Sequence, residues 1–358
     1  MRRMFAQASH VVTQRWGPAD IELAAAAIKS GQVVGFPTET VYGAGANAFS
    51  DIAVKRIFDA KGRPSDNPLI VHAPDFESAR KLVCMATDTI ENDVGLLAKA
   101  FWPGPLTIIL PSNSPISPLV TAGLDTVGIR VPDHPIAHAL LVSCGVPIAA
   151  PSANLSGKPS PTSAVHVLSD LDGRIAGVLD GGSTGVGLES TVIDCTSEPY
   201  TVLRPGGVTL EQLQSVLSEG RVRSGQHEDD SMTPRAPGMK YQHYAPTAPL
   251  YYVKGNPDAV RIQIAKALDQ GLRVGLLKPA SKDDCLIRGV KLITCGSHDD
   301  LESIAQQLYS CLRRFDTEDS VDVIFANGFP CAGLGAAIMN RLLKASTHII
   351  DEEVSRNI

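Results

Sequence analysis

The sequence predicts an α/β protein with two domains, and three observations lead to this prediction. Short apolar runs of strand character alternate along the chain with segments whose apolar residues recur at helical spacing. The length of 358 residues suits two domains better than one. A polar stretch around residues 226–231 shows no periodicity and divides the chain. We therefore assign residues 1–218 to a first domain, 219–248 to a linker and 249–358 to a smaller, doubly wound α/β domain.

The composition is that of a globular protein and argues against several classes. Hydrophobic residues make up 44% of the chain and charged residues 20%, which is enough apolar material for a sizeable core. No apolar run is long enough to predict a membrane span, and the basic start of the chain lacks the apolar segment of a signal peptide. The seven cysteines show no metal-binding spacing, so we expect buried thiols in a reducing cytoplasm. A net charge of −6 is unusual for a protein whose main task is gripping nucleic acid.

The first informative segment joins a buried strand to a polar turn. Residues 33–36 are typical of a buried strand, and Pro37 ends it because proline has no backbone N–H to donate. Thr38, Glu39 and Thr40 follow at once, and then two glycines, at which a backbone can turn tightly or approach a ligand closely. Ligands usually bind at the ends of strands in open α/β sheets, so we predict a binding site here. An ordinary strand followed by a turn is the alternative.

Helices flank this strand, and the second of them ends in a basic loop. Residues 20–31 are rich in alanine and end at a glycine, and residues 51–61 carry apolar residues at helical spacing. Lys61 closes the second helix two residues before Arg63, in a loop bounded by glycine and proline. The pair suits a phosphate or a carboxylate, because arginine offers a planar pair of donors and lysine a mobile point charge. The alternative is a basic loop that is exposed to solvent and binds no ligand.

Two later strands carry single polar residues that need a partner. Residues 68–72 form a strand ending at His72, which can be either a structural or a ligand-binding histidine. After a helix over 91–100 and a buried strand at 106–110, residues 127–131 alternate in the manner of a strand with one apolar face. Arg130 then lies on the opposite face of a covered sheet, where it needs an anion. The pattern leaves open whether that anion is a protein carboxylate or the carboxylate of a ligand.

A second strand end repeats the pattern of the first. Residues 147–150 form an apolar strand that stops at Pro151. Ser152 and Asn154 follow, two residues apart on an extended segment and therefore on one side of it. They can line a site, or they can cap the helix that we expect over 161–168. The glycine-rich loop further on matches neither the P-loop nor the dinucleotide-binding fingerprint.

The end of the first domain leads into an aromatic linker. Residues 200–204 form a strand that ends in Arg204, and a helix follows at 210–217. The segment 237–246 is dense in aromatic and polar side chains, which indicates that it packs on another surface. In the second domain we predict strands at 250–253, 274–277, 291–294 and 321–326 and helices at 257–268, 301–315 and 333–345. We expect no chemistry in this domain.

Taken together, the motifs resemble those of the YrdC-like family, and specifically of its long, two-domain form. The resemblance covers nearly the whole chain and rests on PTETVYG (37–43), KGRPSDNPL (61–69), TVGIRVP (126–132), PSANLSG (151–157), ESTVID (189–194), LRPG (203–206) and PGMKYQHYAP (237–246). It implies a twisted, open, mixed sheet with helices around a concave site in the first domain. For the second domain it implies a Rossmann-like α/β fold.

The resemblance also implies a reaction. L-threonine, bicarbonate and ATP would give threonylcarbamoyl-adenylate and pyrophosphate by adenylyl transfer, with Mg²⁺ bound through the triphosphate. Downstream tRNA threonylcarbamoyl-transferase proteins would then use the product to modify adenosine 37 of tRNA. We expect a cytoplasmic enzyme that does not span a membrane and binds tRNA weakly or not at all.

The family's site residues map onto this chain by its motifs. The resemblance implies that Lys61 and Arg63 are catalytic and that the protein itself supplies no metal ligand. It implies an ATP site formed by Lys61, Arg63, Asn67, Thr121, Thr126, Ser152, Asn154, Ser160, Arg204, His243 and Tyr244. It implies a threonine site formed by Thr40, His72, Arg130, Ala150 and Ser190. The linker would close over the nucleotide, and we expect the second domain to anchor it as a lid that keeps water from the adenylate.

Two other functions are compatible with the same fold. An RNA-binding or ribosome-assembly module would use a concave basic surface, but the net charge of −6 and the lack of interleaved aromatic residues argue against it. Carbamoyl transfer for metal-cluster maturation, as in other YrdC-like proteins, would need zinc-finger and acylphosphatase-like segments that the chain lacks.

Overall fold

Two β-sheets organise the chain in the computed structural model, which describes residues 12–225, 234–238, 243–255, 257–280, 287–317 and 320–351. The strands of the first sheet are β1 (Gln14–Trp16), β2 (Val34–Phe36), β3 (Gly43–Asn47), β4 (Ile70–His72), β5 (Leu106–Pro111), β6 (Thr126–Arg130), β7 (Ile148–Ala149), β8 (Gly177–Leu179), β9 (Thr191–Asp194), β10 (Tyr200–Arg204) and β11 (Val222–Ser224). Its helices are α1 (Ile21–Lys29), α2 (Asp51–Lys61), α3 (Phe76–Arg80), α4 (Asp88–Phe101), α5 (Pro118–Thr121), α6 (Pro135–Cys144), α7 (Ala164–Leu171) and α8 (Leu210–Leu217).

The first sheet is open and mixed, in the order β1-β8-β2-β3-β7-β4-β6-β5-β9-β10-β11. β4 runs parallel to β6, whereas β7 and β5, on either side of this pair, run antiparallel to it. Register places His72 opposite Arg130, so the last residues of two neighbouring strands come together. This arrangement confirms the predicted mixed sheet and brings its polar strand ends to one region.

The second sheet is smaller and entirely parallel, in the order β14-β13-β15-β12-β16. Its strands are β12 (Leu250–Lys254), β13 (Val274–Ala280), β14 (Val290–Ser297), β15 (Val323–Ala326) and β16 (His348–Asp351), and its helices are α9 (Pro257–Asp269), α10 (Leu301–Thr317) and α11 (Leu334–Ala345). A parallel sheet needs crossover connections, and α9, α10 and α11 supply those that follow β12, β14 and β15. The predicted doubly wound α/β domain is therefore confirmed, with β16 as an additional edge strand.

Some elements begin elsewhere than predicted, because local side chains set their ends. The helix expected over 161–168 is α7, which begins where the hydroxyl of Ser163 accepts a hydrogen bond from the backbone N–H of His166. The helix expected from residue 91 is α4, which begins one turn earlier because Thr87 caps it through the N–H of Ile90. α2, β10 and α8 have the predicted bounds.

For the two glycines after the polar turn, the sequence left open a tight turn or a close approach to a ligand, and the structure places neither glycine in a turn. Gly43 and Gly45 lie inside β3, which pairs antiparallel with β2. A β carbon at Gly45 would lie 2.7 Å from both Cε1 of Phe36 and Cγ2 of Ile148, so two protein side chains make the close approach there. The turn itself is formed by the residues between β2 and β3, where the side chain of Thr38 bonds the backbone carbonyl of Val41.

The boundaries proposed for the domains stay a prediction, and one detail bears on them. β11, in the stretch assigned to the linker, pairs in parallel with β10 and extends the first sheet. Residues 226–233 and 239–242 of the linker lie outside the described part of the chain. Within the described ranges, no helix combines the length and apolar character needed to cross a membrane.

An apolar cluster joins the two domains behind the polar strand ends. It combines Val41 and Leu188 of the first domain with Tyr244 of the linker and with Leu308 and Phe315 of α10. All five side chains are buried. Burial of apolar surface from three parts of the chain stabilises their contact, and it fixes the position of the linker next to the strand ends.

Candidate active site at the domain junction

A cavity lies where the strand ends of the first sheet face the linker. Its walls come from the turn after β2, the end of α2, the ends of β4, β6 and β7, the loop before β9 and the described linker residues. Twelve of the predicted site residues line it together, namely Thr40, Lys61, Arg63, His72, Arg130, Ala150, Ser152, Asn154, Ser190, Arg204, His243 and Tyr244.

Four predicted residues do not line this cavity. Thr121 and Thr126 line a small pocket beside it, and Pro237 belongs to the walls of both. Asn67 is buried, and neither atom of its side-chain amide has a hydrogen-bond partner among the described residues. Ser160 is also buried, and its hydroxyl donates to the carboxylate of Glu189.

Arg130 has a protein carboxylate as its partner and also faces the cavity. Its Nη2 lies 2.7 Å from Oε1 of Glu39, and its Nε donates to the backbone carbonyl of Gly104 at 3.2 Å. Both side chains of the ion pair are at least 87% buried, since their exposed fractions are 5% and 13%. The sequence left open whether the anion beside Arg130 belongs to the protein or to a ligand, and Glu39 is such a protein anion. The place of Arg130 in the wall leaves a ligand carboxylate within its reach as well.

His72 is a buried, neutral imidazole beside this pair. Burial and, to a smaller extent, the charge of Arg130 lower its pKa to about 3. Its ring meets that of Phe36 edge to face, with 5.9 Å between the ring centres. Among the described residues its Nδ1 has no hydrogen-bond partner. His72 can therefore offer a hydrogen bond to a ligand without adding charge.

Lys61 and Arg63 reach the cavity because of the way α2 ends. Gly62 caps the helix in the left-handed conformation with φ of +62°, which reverses the chain between the two cations. Nζ of Lys61 donates to the backbone carbonyls of Ser152 and Asn154, each at 2.5 Å. Burial and the neighbouring Arg63 lower the pKa of Lys61 well below its usual value. An anion in the cavity would favour the protonated form of this amine.

Ser152 and Asn154 line the cavity and do not cap the following helix, since Ser163 caps α7. The hydroxyl of Ser152 donates to Oδ1 of Asn154 at 2.6 Å. The amide nitrogen of Asn154 donates to the backbone carbonyls of Leu155 and Lys158. These bonds hold the loop in the shape that presents its carbonyl groups to Lys61.

Arg204 joins the first domain to the linker. Its Nε and Nη2 donate to the carbonyl oxygen of Ser190, and its Nη1 donates to that of Pro237 at 3.1 Å. His243 and Tyr244 follow the undescribed residues 239–242 and line one side of the cavity. The centres of their rings lie 5.5 Å apart. The arrangement agrees with a linker packed on the site.

The sequence did not assign Thr38 or Glu189, although both lie in segments that it singled out. The hydroxyls of Thr38 and Thr40 lie 2.8 Å apart, and Thr38 lines the cavity. Glu189 is the carboxylate among the lining residues. Burial would raise its pKa, but Arg341 and Arg204 outweigh this and lower the pKa to about 2. Its position in ESTVID was the available signal, but its partners lie far along the chain.

The cavity has no metal cage of its own in the part of the chain that the structure describes. There, no group of three or more His, Cys, Asp or Glu side chains could hold a metal ion. Glu189 is already bonded to Ser160, Tyr309 and Arg341. The fold and the site together describe a two-domain α/β protein with a cavity that is rich in cationic side chains and lined in part by linker residues.

Comparison with known proteins identifies the family. A model of the Sua5/YciO/YrdC family, described as "Telomere recombination", matches residues 26–206. A second model, described as "Threonylcarbamoyl-AMP synthase, C-terminal domain", matches residues 208–347. The chain belongs to the Sua5/YrdC family in its two-domain form, as its motifs suggested.

Individual relatives agree over most of the chain. A threonylcarbamoyl-AMP synthase of Bacillus subtilis is 52% identical over 91% of this chain and 92% of its own length. One from Pyrococcus abyssi is 48% identical over 92% of this chain and 95% of its own. The crystal structure of P. abyssi Sua5 complexed with L-threonine matches with a TM-score of 0.85 and 46% identity, covering 95% of this chain and 99% of that one.

Proposed function

We propose that the protein is a threonylcarbamoyl-AMP synthase that makes threonylcarbamoyl-adenylate and pyrophosphate from L-threonine, bicarbonate and ATP. The observation that carries the proposal is the single cavity that brings two groups of predicted residues together, namely Lys61 and Arg63 with Thr40, His72 and Arg130. Relatives of this name cover nearly the whole chain, which supports the same reaction.

The amino-acid end of the site is assigned to five residues. We assign the threonine carboxylate to Arg130, because this cation lines the cavity and a guanidinium donates charge-assisted hydrogen bonds to a carboxylate. Thr40 and Ser190 would contribute hydroxyl groups, and the neutral His72 would contribute a ring nitrogen. The small side chain of Ala150 leaves room beside them. The match with a P. abyssi structure that contains L-threonine supports this assignment.

The nucleotide end is assigned to the cations and to the neighbouring pocket. Lys61 and Arg63 would hold the triphosphate, with Ser152 and Asn154 beside them. Asn67, whose buried amide lacks a protein partner in the described chain, is a further donor for this end. The nucleoside would lie toward Thr121 and Thr126, in the pocket that shares Pro237 with the cavity. Ser160 would act behind the wall, through Glu189.

The reaction needs positioning and charge neutralisation more than covalent catalysis. N-carboxylation of the threonine amine by bicarbonate forms a C–N bond and breaks a C–O bond, with loss of water. A carbamate oxygen then forms a bond to the α-phosphorus while the bond from that phosphorus to the bridging oxygen breaks. Pyrophosphate leaves with the electron pair, and Lys61 and Arg63 offset its charge as catalytic residues. Mg²⁺ arrives as part of the nucleotide substrate and supplies further positive charge there.

The linker completes the proposal as a lid. Arg204, His243 and Tyr244 would close over the nucleotide and keep water from an adenylate that hydrolyses readily. The product would pass to downstream tRNA threonylcarbamoyl-transferase proteins in the cytoplasm, and direct tRNA binding would be weak or absent. We class the activity as nucleotidyl transfer.

Pyrophosphate release tests the proposal directly. The protein is incubated with ATP and Mg²⁺, with L-threonine and bicarbonate added singly and together. We expect release only when both are present, with a product of the mass of threonylcarbamoyl-AMP. Release independent of threonine would contradict the proposal, and tight tRNA binding without turnover would favour the RNA-binding alternative.

A further inference from the structure

We propose that Arg341, on α11 of the second domain, is a positioning residue for the nucleotide, which together with Glu189 holds the linker residue Tyr244 at the cavity. The inference rests on the proposed function, because the nucleotide is the ligand over which the linker would close. It assigns the second domain a part in the reaction through one buried ion pair.

Glu189 connects the cavity to the second domain. Glu189 lines the cavity, and its carboxylate accepts a hydrogen bond from Ser160 of its own domain. From the second domain, Tyr309 donates to it at 2.9 Å and Nε of Arg341 donates to it at 2.7 Å. A buried carboxylate with this many donors is held in one place. The lowered pKa keeps it charged throughout the neutral range.

Arg341 is fully buried and contacts the linker as well as Glu189. Its exposed fraction is 0%, and its guanidinium carbon lies 5.6 Å from the ring centre of Tyr244. Its Nη1 donates to the side-chain oxygen of Asn340, which fixes the plane of the guanidinium. Burial of a guanidinium is unfavourable unless it is paired, and Glu189 supplies the counter-charge. A cation over an aromatic face then adds attraction to the ring.

Tyr244 has a conformation that its own backbone does not favour. Its φ is +67°, a region in which a residue other than glycine is strained. The ring is held between Arg341 and the ring of Tyr309, whose centre is 5.2 Å away. The second domain therefore provides the contacts that keep Tyr244 in place.

α11 also grips the linker on the other side of the undescribed residues 239–242. Nζ of Lys344 donates to the carbonyl oxygen of Gly238, while Arg341 contacts Tyr244 one helical turn earlier. A β carbon at Gly238 would lie 3.1 Å from the hydroxyl of Tyr244, so the two ends of this segment come close together. One helix thus fixes both ends.

The test compares nucleotide and threonine binding in R341M. Binding of α,β-methylene-ATP, which is not cleaved at the α-phosphorus, and of L-threonine is measured separately by calorimetry on the full-length protein. We expect the nucleotide Kd to rise about tenfold, the size of effect that loss of a buried cation–π contact can produce, and the threonine Kd to stay within about twofold. R341K, which keeps a cation beside Glu189 and Tyr244, should restore part of the affinity.

R313M is the matched control, because Arg313 is the other buried arginine of the described chain that pairs across the domains. Its Nη2 lies 2.8 Å from Oδ2 of Asp170, and it does not touch Tyr244. If Arg341 only joins the domains, the two methionine variants should lose thermal stability and nucleotide affinity alike, which would overturn the inference. A selective loss of nucleotide affinity in R341M supports it.

The double variant E189Q/R341M provides a test in case R341M alone does not fold. It removes both charges, so no unpaired ion remains buried. If the pair acts as a unit, the double variant should bind nucleotide no more weakly than R341M. If the folded double variant binds nucleotide as tightly as the unmodified protein, the inference is overturned while the proposed function stays intact. Failure of the unmodified protein to bind nucleotide would instead overturn both.

Discussion

Arg130 pairs with the carboxylate of Glu39 and is also proposed to bind the threonine carboxylate. The two roles predict different effects of removing its side chain. If it only balances Glu39, its loss should destabilise the fold and affect all substrates equally. If it also binds the threonine carboxylate, R130A should raise the threonine KM by roughly ten- to hundredfold, the worth of a charge-assisted hydrogen bond, with a much smaller change for ATP. Steady-state pyrophosphate release with each substrate varied in turn distinguishes these cases.

R221A is the control for that experiment. Arg221 also forms an ion pair with a buried carboxylate, that of Asp93, but it does not line the cavity. We expect it to lower stability without separating the two KM values. Equal rises of both KM values in R130A would rule out the proposed role in threonine binding.

The lowered pKa of His72 predicts that the free energy of unfolding depends on pH. Its pKa is about 3 in the folded protein and about 6.5 when the chain is unfolded, so the unfolded state binds the additional proton between these values. The contribution of a neutral His72 is fully present above pH 6.5 and is lost as the pH falls, by at most about 1.4 kcal/mol per pH unit. Urea unfolding at pH 7 and pH 5 should show a smaller decrease for H72N than for the unmodified protein. An equal decrease would contradict the prediction.

At the scale of elements, the end of α2 decides where Lys61 and Arg63, the proposed catalytic residues, point. Gly62 has φ of +62°, and a β carbon there would meet no atom within 4 Å, so the substitution G62A costs only conformational strain of about 1–2 kcal/mol. We expect the end of the helix to shift and the ATP KM to rise about tenfold, since Lys61 and Arg63 depend on this cap. The measurements are thermal unfolding and the ATP dependence of pyrophosphate release.

G145A separates strain from function. Gly145 caps α6 with φ of +63°, and a β carbon there would likewise meet nothing within 4 Å. The two variants should lose similar stability, but G145A should leave the ATP KM unchanged. A rise in both, or in neither, would contradict the role given to the α2 cap.

The same scale shows what the sequence can and cannot predict. Periodicity and caps are local, so α2, β10 and α8 were predicted with their observed bounds. The place of the glycines in β3 was not, because the ring of Phe36 excludes side chains there and that contact is tertiary. Short edge strands such as β11 and β16 depend on distant partners. The same holds for Glu189, whose partner Arg341 is 152 residues away. The motifs contain most of the residues that line the cavity, and the sequence led us to expect the second domain at the linker, but it did not predict the pair of Glu189 and Arg341.

At the scale of the whole molecule, the second domain also supports the part of the cavity that we propose to bind threonine. The N–H groups of Val186 and Gly187 donate to the carbonyls of Glu39 and Thr40, so this loop braces the polar turn. Gly187 in turn lies against α10, where a β carbon would come within 2.4 Å of Cα of Gln306. A contact this close means that a side chain at Gly187 must move either the loop or the helix.

G187A should therefore weaken threonine binding from a distance. Its φ of +79° adds strain to the clash with α10, and displacement of the loop should disturb the turn that carries Thr40. We expect a threonine KM raised by roughly tenfold and faster amide exchange in α10. G182A is the matched control: Gly182 lies in the same loop with φ of +80°, but a β carbon there meets nothing within 4 Å. If both variants raise the threonine KM equally, strain in the loop suffices and the second domain has no part in the threonine end. If only G187A does, the packing of α10 on this loop is what shapes the site.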